Sequence, residues 1–282
     1  MITPAQRDYI EEYAHVPEHV IHYVTAVSAA EPFLLQDFLL YLGKEHLIFV
    51  GYPLKDPFDG KRMKKTFDEA LKRFKPADVA LIAPEFPPGF ARASARTSDD
   101  YYRLDLPLTS VPQKVRNMLE RARKDLFVEK VRSFSREHEK LMHEFLNTHF
   151  IDEQTQFILR KTPMYLESAP TALIFEARNR NGDLVAFDVA EFGPRHYAMY
   201  MFNITSREQY VPGASDLLLF EVVQHARATG KAYVNLGLGI NPGVAFFKKK
   251  WGGVPFLSYN YLLYTSSKVQ ILNTLFESLG MP

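Results

Sequence analysis

Residues Tyr210–Gly253 read YVPGASDLLLFEVVQHARATGKAYVNLGLGINPGVAFFKKKWGG. The stretch divides into a loop, a helix Ser215–Thr229, a short strand Tyr233–Leu236, a glycine-rich turn, a helix Val244–Trp251 and a glycine stop. Leu219, Val222, Val223 and Ala226 recur at helical spacing and define one buried face of the first helix, and Gly230 ends it. Tyr210-Val211-Pro212-Gly213-Ala214-Ser215 leads into that helix. Its first turn carries unsatisfied N–H groups and the positive end of the helix dipole. Small residues there let an anion approach the backbone, and the diphosphate of a nucleotide-containing cofactor is a natural guest. A plain helix start capped by Ser215 or Gly213 is the alternative. Asn235-Leu236-Gly237-Leu238-Gly239-Ile240-Asn241 lacks the third glycine of a dinucleotide fingerprint. A splayed strand end fits it better, with Asn235 and Asn241 offering amide hydrogen bonds to a ligand or to the backbone. Lys248, Lys249 and Lys250 suit the negative end of the second helix. They read as a solvated basic helix end, with contact to phosphate or to a tRNA backbone as the alternative.

Working outward, a meander precedes this stretch: strand Thr171–Arg178, the turn Asn179-Arg180-Asn181-Gly182, strand Asp183–Glu191, the turn Gly193-Pro194, and strand His196–Asn203. Before it lie helices Glu153–Lys161 and Arg136–Phe150 and a strand Leu126–Arg132. A helix opens near Pro112, with Ser110 as its expected cap and Val115, Met118, Leu119 and Ala122 as its apolar stripe. Lys114, Arg116, Arg121, Arg123 and Lys124 lie mostly outside that stripe. Towards the N-terminus, Gly60–Phe74 is an amphipathic helix closed by Lys75-Pro76. Leu47–Val50, Val79–Ala83 and Tyr101–Leu106 read as strands, Ile21–Val27 has the β-branched and aromatic composition of one, and Glu85–Ser98 reads as a loop. Phe256–Tyr264 is a last strand and Lys268–Leu279 a helical tail.

The 282 residues suffice for one large domain or two of roughly 100–150 residues, with a core that needs no staples. The chain has no cysteine, which excludes disulfides, thiolate metal sites and a cysteine nucleophile. The polar start MITPAQRDYIEEYAH has no signal-peptide pattern, and no run of roughly 18 apolar residues occurs. A cytoplasmic protein without a spanning segment is expected; peripheral membrane contact stays open. Net charge is +1, whereas strong nucleic-acid binders are usually more basic, so only a local basic patch would serve that role.

Among the other constellations, His15, His19 and His22 are separated by Pro17, which breaks the helix that would align them. No metal site is expected. No Gly-x-Ser-x-Gly elbow occurs, and Gly43, Gly60 and Gly230 before lysine lack the remainder of a phosphate loop. Glu191, at the end of a central strand, is the candidate general base, and Asp188 lies on the opposite phase of that strand. Arg195, Tyr197 and Tyr259 are candidates for substrate contact.

The order helix, strand, Asn-Gly turn, helix and Phe247-Lys248…Trp251-Gly252-Gly253 resembles the C-terminal half of a GNAT-superfamily acyltransferase. More narrowly it resembles Fem-type aminoacyl transferases and the catalytic domain of phosphatidylglycerol lysyltransferases. Pro212-Gly213-Ala214-Ser215 and Asn235-Leu236-Gly237 carry the match, as does Arg116-Asn117…Ala122…Lys124, which is like the R-N-x-x-x-x-A-x-K helix of those families. The likeness spans about Val115 to Tyr264. It implies a mixed α/β fold of two tandem GNAT-like modules, each a mostly antiparallel twisted sheet flanked by helices. These modules are expected over residues 1–110, degenerate as a donor site, and 111–282, which carries the donor. It implies that Gly213, Ala214 and Ser215 lie at a pyrophosphate loop and that the strand end Met201-Phe202-Asn203 pairs with the donor and polarises its carbonyl. Asn241, Phe247 and Lys248 complete the expected donor contacts, and Asn235 joins Glu191 as a catalytic candidate. The implied reaction is N-acyl transfer from acyl-CoA or acetyl-CoA to a primary amine on a small-molecule or lipid-linked acceptor. The loop Glu208–Ala214 departs from the Gln/Arg-x-x-Gly-x-Gly/Ala pattern, and Phe246 and Phe247 stand where a general-acid tyrosine is often found. Aminoacyl-tRNA as donor, or a non-catalytic binding protein, are the alternatives. A Gly213→Asp substitution is expected to block donor binding and leave the fold intact.

Overall fold

The computed structural model describes residues 2–86 and 95–265. The elements in chain order are α1 (Pro4–Tyr13), α2 (Ile21–Ser28), β1 (Glu31–Leu35), β2 (Phe38–Leu42), β3 (His46–Val50), α3 (Gly60–Phe74), β4 (Asp78–Ala83), β5 (Ala95–Asp105), α4 (Gln113–Asp125), β6 (Leu126–Val131), α5 (Arg136–Thr148), α6 (Glu153–Arg160), α7 (Thr162–Ser168), β7 (Ala172–Asn179), β8 (Leu184–Glu191), β9 (Tyr197–Thr205), α8 (Ala214–Ala228), β10 (Tyr233–Leu238), α9 (Pro242–Lys250) and β11 (Val254–Thr265). The fold is mixed α/β, with mostly antiparallel strands flanked by helices, as expected. Two compact units divide at Asp100/Tyr101 and again at Phe256/Leu257, so β5 and β11 each contribute residues to both. The sequence had suggested one boundary near residue 110.

In the first unit β1–β2–β3 is an antiparallel meander, β3 pairs with β4 in parallel, and β4 pairs antiparallel with the later residues of β11. Helix α3 links β3 to β4. It has the expected bounds because Asp59 accepts from the amides of Lys61 (2.8 Å) and Arg62 (3.1 Å), and Lys75 ends it in the left-handed region. Its buried residues Met63, Phe67 and Ala70 pack on Leu40, Leu47, Phe49 and Leu81. Residues 21–28 are helical rather than extended: Ile21 and Val24 are buried three apart, and that packing overrides the β-branched composition. Of the expected loop Glu85–Ser98, the residues from Ala95 onward are strand, and the expected tail helix lies outside the described residues.

In the second unit β6–β7–β8–β9 is an antiparallel meander, β9 pairs in parallel with β10, and β10 pairs antiparallel with β5. Helix α8 packs on this sheet, and α4 packs on α8. Val115, Leu119 and Ala122 of α4 meet Leu217, Leu218, Val222 and Val223 of α8 in one core with Phe175, Ala190, Ala198, Val234 and Trp251. Burial of such side chains contributes roughly 1.5–3 kcal/mol each. Ser110 does not cap α4; Pro112 is the residue at its N-cap, and no side chain bonds its first amides. Helix α7 continues from α6 after a one-residue break at Lys161 and has no counterpart in the sequence reading. Among the described residues no helix is long and apolar enough to cross a membrane.

Candidate functional site

The site begins where β9 and β10 part. Their parallel register runs Tyr197↔Tyr233, Ala198↔Val234 and Met199↔Asn235, and stops there, although both strands continue. Each is irregular just beyond that point. On β9 the pairing to β8 jumps from Phe202↔Val189 to Tyr200↔Ala190, leaving Met201 as the extra residue of a β-bulge. On β10 the pairing to β5 jumps between Asn235 and Gly237. The Asn235 side chain, fully buried, accepts from Gly237 N (2.9 Å), and Gly237 takes φ +74°, open to glycine without strain. Asn235 therefore builds the opening.

Lys248 of α9 is buried at this opening. Its ammonium donates to the Leu238 carbonyl and stands 5.8 Å from the centre of the Tyr102 ring. A side chain added at Gly237 would meet Met199, Lys248 Nζ and the Tyr200 carbonyl within 3.8 Å, so these groups share one small space. Lys250 is paired with Asp216 (2.6 Å), leaving Lys249 as the exposed member of the run. The expected solvated basic helix end is thus corrected: two of its three lysines are committed inside the unit, because the last turn of α9 packs towards β10 and α8.

The start of α8 is tied down from two sides. Ser215 Oγ donates to Asn203 Oδ1 on β9 (3.0 Å). Asp216, buried, accepts from Trp251 Nε1 (2.8 Å) and Lys250 Nζ (2.8 Å) at the end of α9. Gly213 is the N-cap with φ +86° and no side-chain cap, and a Cβ there would lie 3.0 Å from the Met118 carbonyl of α4. The loop before it is largely satisfied internally. Glu144 of α5 accepts from Arg207 N (2.7 Å), Glu208 N (3.1 Å) and Ser206 Oγ (2.9 Å). Burial opposes ionisation of Glu144, but the amides of Glu208 and Arg207 and the Ser206 hydroxyl hold its carboxyl below the ordinary value. Gln209 N donates to Ser206 Oγ, Ala214 N to the Val211 carbonyl, and Pro212 has no N–H.

The remaining sequence candidates divide. Met201, Phe202 and Asn203 sit on the bulge, and Asn241 caps α9 by accepting from Val244 N (3.0 Å). Phe247 packs on the core of the unit. Glu191 is buried, with Tyr165 Oη (2.5 Å), Phe192 N (2.9 Å) and Gly193 N (2.7 Å) all donating to it. Tyr197 is buried against Tyr233 at the other end of the parallel ladder, with ring centres 5.3 Å apart. At about 3.3 Å per residue, it and the exposed Arg195 lie over 10 Å along the strand from Met201. Tyr259 belongs to the first unit. His15 and His19 stack edge to face at 4.8 Å, and His22 contacts Arg7. Among the described residues no three metal-ligating side chains converge.

Two residues to which the sequence assigned no role belong to this region. Tyr200 precedes the bulge. Asp188 opposes Asn203 and is fully buried in a strand that otherwise reads as apolar, Leu184–Ala190. An ionisable residue in the middle of such a run was the available signal.

The sequence matches no protein-family model and no curated protein. Solved structures do match. Superposed on FemX, the chain gives a TM-score of 0.65 at 10% identity, covering 98% of this chain and 99% of that one. L-PGS from Bacillus licheniformis gives 0.60 at 16% identity, covering 96% and 95%. A tandem GNAT protein from the clavulanic acid biosynthesis pathway gives 0.53 at 13% identity, covering 81% and 78%. At these identities the likeness shows the fold alone: this chain shares that of FemX, L-PGS and the tandem GNAT protein.

Proposed function

We propose that this protein transfers an acyl group, carried as an aminoacyl ester, to a primary amine. The observation that carries the reading is the opening between β9 and β10, with the bulge at Met201 on one side and the Lys248 ammonium on the other. A donor carbonyl laid in the gap meets backbone amides freed from the ladder and a buried cation. Both stabilise the negative charge that develops on the carbonyl oxygen. The amine nitrogen attacks the carbonyl carbon, a C–N bond forms, and the C–O bond to the carrier breaks. The departing oxygen takes up the proton that the amine loses. Such a step depends mainly on positioning. Glu191, with three donors on its carboxylate, serves here as the anchor of the β8 end rather than as the base.

The state of the loop favours an ester on a polyanionic carrier over a CoA thioester. A diphosphate needs several inward N–H groups; in this loop the amides of Arg207, Glu208, Gln209 and Ala214 are already bonded and Pro212 has none, which leaves it those around Gly213 and the first turn of α8. Helix α4, which packs against the start of α8, exposes Lys114, Arg116, Arg121, Arg123 and Lys124 beside it. That charge suits the phosphates of a tRNA. The acceptor is an amine on a small molecule or on a lipid-linked precursor. We read the two units as tandem modules, with the first not holding a donor.

The test pairs binding of a mixed aminoacyl-tRNA pool with melting curves in acetyl-CoA. Binding of tRNA that weakens about a hundredfold between roughly 50 and 200 mM salt, with transfer of labelled amino acid to an amine panel, supports the proposal. A saturable rise in melting temperature at acetyl-CoA on the order of a millimolar, without tRNA binding, replaces it with acyl-CoA-dependent transfer. Neither response leaves a binding protein.

A further inference from the structure

We propose that Asp188 is the positioning residue of the opening: its carboxyl holds Tyr200 and Asn203 on one face across the bulge, and through Asn203 and Ser215 it sets the first turn of α8. In a regular strand, residues three apart face opposite sides of the sheet. The extra residue Met201 removes that difference, so Tyr200, opposite Ala190, and Asn203, opposite Asp188, share the Asp188 face.

The contacts run in one direction. Asn203 Nδ2 donates to Asp188 Oδ1 at 2.5 Å, and the other end of the same amide accepts from Ser215 Oγ at 3.0 Å. One side-chain amide therefore joins β8, the bulge and α8. The second carboxyl oxygen, Asp188 Oδ2, and the Tyr200 hydroxyl are both buried without a hydrogen bond of good geometry, although each lies close enough to shift the other electrostatically. Burial pushes the Asp188 carboxyl well above its usual range, against the pull of Asn203 and Tyr200. A proton on Oδ2 can be donated to the Tyr200 oxygen, satisfying both atoms at once. Leaving such atoms unpaired would destabilise the strand exactly where the sheet is already interrupted, so this arrangement ties the shape of the bulge to one side chain.

The importance of this for transfer rests on the donor reading above, so the deciding experiment does not use transfer. Hydrogen exchange is followed by segment in the wild type, Asp188→Asn, Asp188→Ala, Ser215→Ala and Leu141→Ala, the last being a core change in α5. Asn at 188 can accept from Asn203 and donate to Tyr200, so near-wild-type protection is expected. Asp188→Ala is expected to speed exchange about tenfold or more over residues 199–205 and 213–217, leaving residues 141–146 unchanged. Ser215→Ala is expected to speed only the α8 segment. Uniform acceleration in Asp188→Ala matching that of Leu141→Ala, or an Asn variant as damaged as the Ala variant, would overturn the proposal. Binding of charged against uncharged tRNA is then compared. A selective loss of at least tenfold for the charged form in Asp188→Ala links the position to the donor, and equal loss of both forms breaks that link. Failure of the wild type to bind tRNA removes the transfer reading while the exchange result still stands.

Discussion

The chain builds a parallel strand–helix–strand unit twice, β3–α3–β4 and β9–α8–β10, and finishes the two differently. In the first, the register runs unbroken from His46↔Asp78 to Val50↔Ile82, and Gly51 N continues it onto the Ile82 carbonyl. In the second it stops after Met199↔Asn235. In the first, the carboxylate of Asp59 fills the helix start; in the second, Gly213 brings no side chain. The same local architecture is thus closed in one unit and open in the other. A bulge residue, an Asx contact at Asn235 and an uncapped helix are enough to make the difference.

The largest expected effect is at Lys248. Replacing it with methionine keeps the buried stem and removes the charge at the opening. Loss of one preorganised donor to a developing oxyanion lowers kcat by about 10²–10³. Initial rates at saturating donor, with melting temperature alongside, check this. An unchanged rate would show that the opening is a structural irregularity, and the contrast between the two units would carry no functional meaning.

Next comes Gly213→Ala. With φ +86° and the Met118 carbonyl 3.0 Å from the added Cβ, both backbone strain and the α4–α8 packing are engaged. Denaturant unfolding should show a loss of about 1–3 kcal/mol. The expectation that Gly213→Asp leaves the fold intact is therefore set aside. A variant as stable as wild type would mean that α4 yields at this contact.

The limits of sequence reading follow the same division. The elements of Tyr210–Gly253 and the bounds of α3 were legible, because caps, glycine stops and helical spacing act within a few residues. The β1–β2 hairpin was not, because its turn is Gln36-Asp37, with Gln36 at φ +54° and no glycine or asparagine to mark it. At the site, Met201 and Asn203 lie on the bulge, Gly213 starts α8 against Met118, and Lys248 is buried beside Gly237. The bulge is a matter of cross-strand register, which local sequence does not encode. Capture of Lys250 by Asp216 is a contact between residues 34 positions apart, and Lys248 reaches the Leu238 carbonyl ten residues before it.

The two units also hold carboxylates with opposite responses to pH. Burial raises the folded-state pKa of Asp188 above the unfolded value of about 3.9, so its contribution is full below that value and is lost as pH rises towards the folded one. The stability advantage of Asp188→Asn over wild type should therefore widen from about pH 5 to pH 8 in urea unfolding. A constant difference would mean that the carboxyl does not change protonation on unfolding.

Asp59 should give the smallest effect and the opposite sign. The amides of Arg62 and then Lys61 lower its folded-state pKa, so the cap stabilises α3 above about pH 4 and weakens as pH falls through the lowered value. Asp59→Ala removes the cap from an exposed helix start. Its fall in melting temperature should be smaller than that of Gly213→Ala and should shrink further in acid. Asp59→Asn keeps an acceptor for the same amides and should recover most of the loss without the acid dependence. Transfer should be unchanged in both variants, because the closed strand pair of the first unit offers no gap to a donor carbonyl. A lowered rate in Asp59→Ala with donor binding intact would mean that the first unit takes part in the reaction, and the division into a closed and an open unit would have to be redrawn.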